Sequence, residues 1–273
     1  MTPQPHDGPA AGEFDTSSRA GFFNYYESAS QSPATLERFR QSTNTLLRMI
    51  GPRSEPLQVL DIGCGAGAQS KFWLEGGHHY RGLDINQPLI ELARRRAEEL
   101  KLNATFDVGT ATSLPLPDQS VDVCLLPELL EHVVDWRRCV EEAARVLRPG
   151  GWMFINTSSK LCPVQQEFSL PLYSWYPQPL KRYFERRAVT DWPALASHAT
   201  YPAVNWFTIY GLSAELQSMG FECYDRFDLI DIEGRGSAAR TVVSSVRRSA
   251  LLRFFGHLCT PYTLVVARKK GTA

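Results

Sequence analysis

Leu57-Gln58-Val59-Leu60-Asp61-Ile62-Gly63-Cys64-Gly65-Ala66-Gly67 is the stretch on which the reading of the chain turns. Residues 57–62 have the apolar character of a buried strand, and residues 68–76, beyond the glycines, have helical spacing. Strand, glycine turn and helix open a nucleotide-binding βαβ unit: small residues let a backbone approach a ligand, and a helix N-terminus presents unused N–H groups. Gly63-x-Gly65-x-x-Ala68 also satisfies the dinucleotide pattern with alanine in third place. Two features speak against a dinucleotide. Asp61 sits inside the strand, two residues before the first glycine, and the third glycine, Gly67, comes one position early.

A chain of 273 residues with 43% apolar content can build one large α/β domain with an insertion, or two small ones. Lys plus Arg and Asp plus Glu both number 29, so the overall charge gives no reason to expect nucleic acid as partner. The cysteines at 64, 124, 139, 162, 223 and 259 form no C-x-x-C pair, and several lie in apolar contexts. That predicts reduced thiols in a cytoplasmic protein. No basic region followed by an apolar run opens the sequence, and no apolar stretch reaches the roughly 18 residues of a membrane span. Secretion and membrane spanning are not expected.

Residues 1–18, rich in Pro, Gly, Ser and Thr, are expected to be disordered, and 19–56 to form an N-terminal helical segment. Within it, Phe22-Phe23-Asn24-Tyr25-Tyr26 reads either as a hydrophobic latch or as a lid whose Tyr face could meet a bound cation. Ser32-Pro33 predicts a helix start, Leu36, Phe39, Thr43, Leu46, Leu47 and Ile50 repeat at helical spacing, and Gly51-Pro52 stops the helix. Strands at 57–62, 80–84, 104–108, 121–126 and 152–156 then alternate with helices at 67–76, 88–101 and 137–147. Such alternation means a parallel sheet covered on both faces, with ligands beyond the C-terminal strand ends. Residues 158–206 break the rhythm with Pro163, Pro171, Pro177, Pro179, Pro193 and Pro202 among many aromatic residues, and are expected to cap the site. A helix at Tyr210–Met219, a strand at Phe221–Ile230, a loop at 231–241, a basic amphipathic helix at Val242–Leu258 and a strand at Tyr262–Ala267 complete the 207–273 part. The amphipathic helix either covers the sheet or rests on an anionic membrane.

Asp84 ends the second strand, and a carboxylate there can accept both ribose hydroxyls of an adenosine. Val108-Gly109-Thr110-Ala111 closes the third strand, and Leu114-Pro115-Leu116-Pro117-Asp118-Gln119-Ser120-Val121-Asp122 leads into the fourth. Leu130-Glu131-His132-Val133 and Arg145-Val146-Leu147-Arg148-Pro149-Gly150-Gly151 follow. With the glycine turn, these stretches resemble the small-molecule (type 11) branch of class I S-adenosylmethionine-dependent methyltransferases over residues 57–157. The resemblance implies an α/β, Rossmann-like sheet of seven strands in the order 3-2-1-4-5-7-6, the last antiparallel. It implies S-adenosyl-L-methionine in the Gly63–Gly67 turn beside Cys64, with Asp61 near the methionine amino group and Asp84, followed by Ile85, on the ribose. Ala111 would touch the adenine through its backbone, and Leu126 or Pro127 would line the methionine side. Thr110 departs from the family, where an acid often accepts from the adenine amine; a hydroxyl can accept that bond without charge assistance.

If Glu128-Leu129-Leu130-Glu131-His132 is helical, Glu128, Glu131 and His132 share a face and could hold a divalent ion. The same spacing is similar to that of ubiquinone-biosynthesis O-methyltransferases, which implies a metal-assisted site; the alternatives are His132 as general base, or a purely structural role. Methyl transfer mainly needs acceptor, methyl and sulfur held in line, while a hydroxyl acceptor must also lose its proton. His132 is the leading base, with His198 and Tyr173 in reserve. The aromatic cap suggests an apolar, quinone-like or lipid-linked glycan acceptor. The rival readings are a nicotinamide-dependent oxidoreductase and a catalytically silent, cofactor-binding partner subunit.

Overall fold

The computed structural model describes residue 23, residues 26–196 and residues 203–271. The expected tail at 1–18, Phe22, Asn24, Tyr25 and the reserve base His198 lie outside the described residues. Helix α1 (Pro33–Ile50) starts where Ser32 accepts from the Thr35 N–H, with proline at its first position, and stops at Gly51, whose φ is +79°. Strands β1 (Gln58–Ile62), β2 (His79–Asp84), β3 (Ala104–Val108) and β4 (Val121–Pro127) follow, with α2 (Ser70–Glu75) and α3 (Gln87–Glu99) between the first three. Next come α4 (Trp136–Val146), β5 (Leu147–Ser158), α5 (Gln178–Val189), α6 (Ile209–Ser218) and β6 (Phe221–Asp225), then α7 (Ser237–Arg248), α8 (Ala250–Leu258) and β7 (Tyr262–Lys269).

The seven strands form one sheet in the order β3-β2-β1-β4-β5-β7-β6. The first five pair in parallel, and β7 runs antiparallel to both β5 and β6. This is the order and the reversed strand that the resemblance implies. Alternating strand residues bury opposite faces. Leu60, Ile62, Leu126, Met153 and Ile155 pack under α4 and α6 through Val140, Ala143, Leu212 and Leu216. Val59, Tyr80, Val123, Leu125 and Phe154 pack on the other face with Leu46, Trp73, Ile90 and Ala93.

The motif residues at 114–122 and 145–148 prove to be girders. Arg145 donates to the carbonyls of Leu114 and Leu116 and to Asp118, and pairs with the buried Glu142, which itself accepts from the Leu114 N–H. Arg148 pairs with Asp122 at 2.8 Å, and Asp122 also accepts from the N–H of Gln58 at the start of β1. The loop ahead of β4 is thus tied to α4, and the start of β5 to β4 and through Asp122 to β1, by charged bonds, each of which contributes more than a neutral hydrogen bond.

Three elements differ from the sequence reading. The amphipathic helix expected over Val242–Leu258 is two helices, divided at Ser249, which is extended (φ −110°, ψ 112°) and caps α8 by accepting from the Leu252 N–H. The strand expected over Phe221–Ile230 ends at Asp225, whose carboxylate accepts from the N–H groups of Phe227 and Asp228 and turns the chain. Residues 128–132 do not form a helix: Glu128 is left-handed at φ +53°, which breaks helical geometry in its first residue. No helix among the described residues is long and apolar enough to cross a membrane.

Candidate functional site

Gly63 and Gly65 turn the chain off the end of β1 with φ of +75° and +51°. The N–H groups of Gly63 and Cys64 are spent on the Leu83 carbonyl of β2, which holds the turn against the neighbouring strand. Asp84 closes the structure from the other side: one carboxylate oxygen accepts from the Gly65 N–H at 2.8 Å, the other from the Asn86 N–H at 2.8 Å. The two strand ends that the sequence singled out are therefore joined through Asp84.

Asp61 is fully buried on the α3 side of β1. One of its oxygens accepts from the Gln69 amide at 2.7 Å and from the Tyr80 hydroxyl; the other is buried with no hydrogen-bond partner among the described residues. Burial pushes the carboxyl up to about 7, against the lowering effect of the Tyr80 and Gln69 bonds. A buried acceptor left without a donor is costly, and it marks the place where a cationic donor would be stabilised. Sequence reading missed Gln69 and Tyr80; the available signal was that an acid inside a buried strand needs donors nearby. Burial first, then the Asp84 and Asp61 carboxylates, push the Cys64 thiol well up, which disfavours its thiolate.

Tyr26 reaches the turn from the N-terminal segment. A β-carbon on Gly65 would lie 3.3 Å from its ring, and Phe23 and Tyr26 both pack on Ala66, Leu89 and Leu92. Arg96 of α3 fixes this segment by donating to the Glu27 carbonyl and the Ser30 hydroxyl. Tyr26 thus packs on the glycine turn, the contact expected of a hydrophobic latch. At the far end, the Gly109 N–H donates to the Asp84 carbonyl at 2.9 Å, which sets β3 beside Asp84. Ile85 and Thr110 are exposed there, and Thr110 shares a 2.9 Å hydroxyl bond with Thr112. Ala111 is half-buried and packs against the core on the α4 side.

Leu126 does not line this hollow: its side chain is fully buried in the core beneath α4 and α6, leaving Pro127 and Glu128 at the tip of β4. The residues read as possible metal ligands are also dispersed. Glu128 pairs with Arg38 at 3.0 Å, while Glu131 is buried and accepts from the Thr157 hydroxyl at 2.6 Å. Burial, then the Glu167 carboxylate of the 158–206 segment, pushes the Glu131 carboxyl well up. No cluster of three or more His, Cys, Asp or Glu positioned for a metal ion occurs among the described residues.

His132 is half-buried in a turn clamped from outside. Asn205 donates to the Leu130 and Val133 carbonyls, and the N–H groups of Val204 and Asn205 bond the Glu131 carbonyl. The chain returning from the 158–206 segment therefore sets the turn that carries His132. The aromatic residues of that segment mostly pack on one another: Phe168 stacks on Tyr173 at 4.0 Å, and Trp206 meets Tyr173 edge-on. Tyr173 is buried with its hydroxyl donating to the Lys181 carbonyl, which removes it from the reserve bases.

The sheet order and its reversed strand are those of the α/β, Rossmann-like methyltransferase fold. Residues 60–155 match the family described as Methyltransferase domain. Among curated proteins, the chain is 34% identical over 102 residues to a ubiquinone biosynthesis O-methyltransferase of Coxiella burnetii, covering 37% of this chain and 44% of the relative. It is 30% identical over 167 residues to a demethylmenaquinone methyltransferase of Tropheryma whipplei, covering 60% of this chain and 66% of that protein. The alignments thus span between about half and two thirds of these relatives. A crystal structure of an S-adenosylmethionine-dependent methyltransferase from Mesorhizobium loti superposes with a TM-score of 0.54 at 20% identity, over 86% of this chain and 100% of that one.

Proposed function

We propose that this protein transfers a methyl group from S-adenosylmethionine to an oxygen of a small, quinone-like acceptor. The observation that carries the reading is the buried Asp61 oxygen without a donor among the described residues, set beside a glycine turn that Asp84 closes. Asp61 would meet the methionine ammonium, Asp84 the ribose hydroxyls, and the exposed edge of Thr110 and Ala111 the adenine. The bound cofactor supplies an activated methyl on a sulfonium. The chain's own work is to orient the acceptor, exclude water and take one proton from the attacking hydroxyl. His132 is the group proposed to take it. The quinone-like acceptor follows the two relatives, and an oxygen acceptor follows the first of them.

Asp61 makes the reading testable through protons. With its folded-state value near 7 against an ordinary 3.8, the folded ligand-free protein binds the extra proton in that interval. Its contribution to stability is therefore present below about pH 4 and is lost as pH rises through about 7. A cationic ligand beside Asp61 reverses the preference and expels the proton. Calorimetric titration with S-adenosylhomocysteine, which retains the ammonium, should release close to one proton at about pH 6 and almost none at about pH 8, read from buffers of different ionisation enthalpy. Tight binding of NAD with none of S-adenosylhomocysteine would overturn the function itself.

His132→Ala is expected to lower methyl transfer to a catechol acceptor by about 10²–10⁴-fold while the affinity for S-adenosylhomocysteine stays unchanged. Full activity in that variant would remove the base.

A further inference from the structure

We infer that α7 and α8 form a docking surface for an anionic lipid bilayer, on which the protein rests without crossing it. The two helices are set inside out. On α8, Arg253 and His257 turn inward, Arg253 pairing with Asp225 and Asp228 and the buried His257 lying 3.0 Å from Asp225. Leu251, Phe254, Phe255 and Leu258, at i, i+3, i+4 and i+7, are left on the opposite side. Leu251 is 65% exposed, Phe255 51% and Leu252 44%. An ordinary surface helix buries this stripe and exposes its charges. Helix α7 buries none of its residues, and its Val242 is 62% exposed. Arg247 is taken by the carbonyls of Phe227, Asp228 and Ile230, which pins the pair of helices to the body.

Charge identifies the occupant. From Gly234 to Ala273 the sequence has no Asp or Glu and eight Lys or Arg, in a chain whose total charge is zero. The side chains of Arg235, Arg240 and Arg248 are exposed and make no hydrogen bond or ion pair among the described residues. A second copy seated here by two-fold symmetry would bring the same arginines together, and a neutral apolar partner would leave them unpaired. Acidic lipid headgroups neutralise them while the Leu and Phe side chains enter the acyl boundary. Two short helices divided at Ser249 can lie in the interface plane, and neither can span it.

The test is flotation of the full chain with vesicles of phosphatidylcholine alone, or of phosphatidylcholine and phosphatidylglycerol. The protein is expected to rise with the anionic vesicles only, and high salt should weaken the association. Paired Arg240→Ala and Arg248→Ala, and separately Leu251→Ser and Phe255→Ser, should each lower partitioning by about tenfold or more. These side chains are exposed, so melting temperature and S-adenosylhomocysteine affinity should stay unchanged, and the outcome is independent of the transfer chemistry. Absence of flotation, equal recovery with neutral vesicles, or a dimer in sedimentation that Leu251→Ser and Phe255→Ser dissolve would each overturn the proposal.

Discussion

Replacing Gly67 with valine is expected to lower the melting temperature by about 10 °C and to abolish measurable S-adenosylhomocysteine binding. Gly67 has φ +68°, a region closed to β-branched residues at ordinary cost. Space is a second barrier. A β-carbon there would lie 2.6 Å from the Phe106 ring and 3.1 Å from the Ala93 β-carbon. Phe106 cannot retreat, because its ring also fills the notch above Gly82, where a β-carbon would meet it at 2.8 Å, and it packs against Tyr80. Strain and overpacking together come to about 4 kcal/mol, spent where the turn meets α3. Scanning fluorimetry measures the shift; a melting temperature within two or three degrees of the parent's would refute this account of Gly67.

Asp84→Asn should instead spare the fold and weaken S-adenosylhomocysteine binding by about a hundredfold. The amide oxygen can keep one of the two backbone bonds, to Gly65 or to Asn86, but its NH₂ then faces the other N–H donor. The turn loses one tie and the ribose loses a charged acceptor, worth about 3 kcal/mol between them. Melting within a few degrees of the parent with a hundredfold larger Kd is the expected pair of results. An unchanged Kd would show that Asp84 only braces the loop, and the proposed cofactor site would go with it.

The sheet was legible because short strands alternate with helical spacing, because β4 and β5 carry apolar runs, and because α3 and α4 have side-chain caps at their starts. Asn86, which caps α3 by accepting from the Leu89 N–H, is one such start. The reversed β7 was not legible from pattern and came only with the family resemblance, since an alternating strand looks the same in either direction. The turn with Asp61 and Asp84 was legible as residue types at strand ends. Their hydrogen-bond partners were not, because Gln69 and Tyr80 reach Asp61 only through tertiary packing. At 128–132, a five-residue spacing match gave a helix where Glu128 is left-handed; so short a window carries no cap or length to test it. In the run ending at Leu126, uniform apolar character hid which side chain faced the core and which the site.

Because β7 lies between β5 and β6, the order of synthesis is not the order of assembly. On the ribosome, Phe221–Asp225 emerges well before Tyr262–Lys269, so β6 waits without a neighbour and β5 presents a raw edge until β7 arrives. A nascent chain halted between them carries a sheet open to pairing with any other extended strand, which makes this interval the one in which the protein most needs shielding from its neighbours.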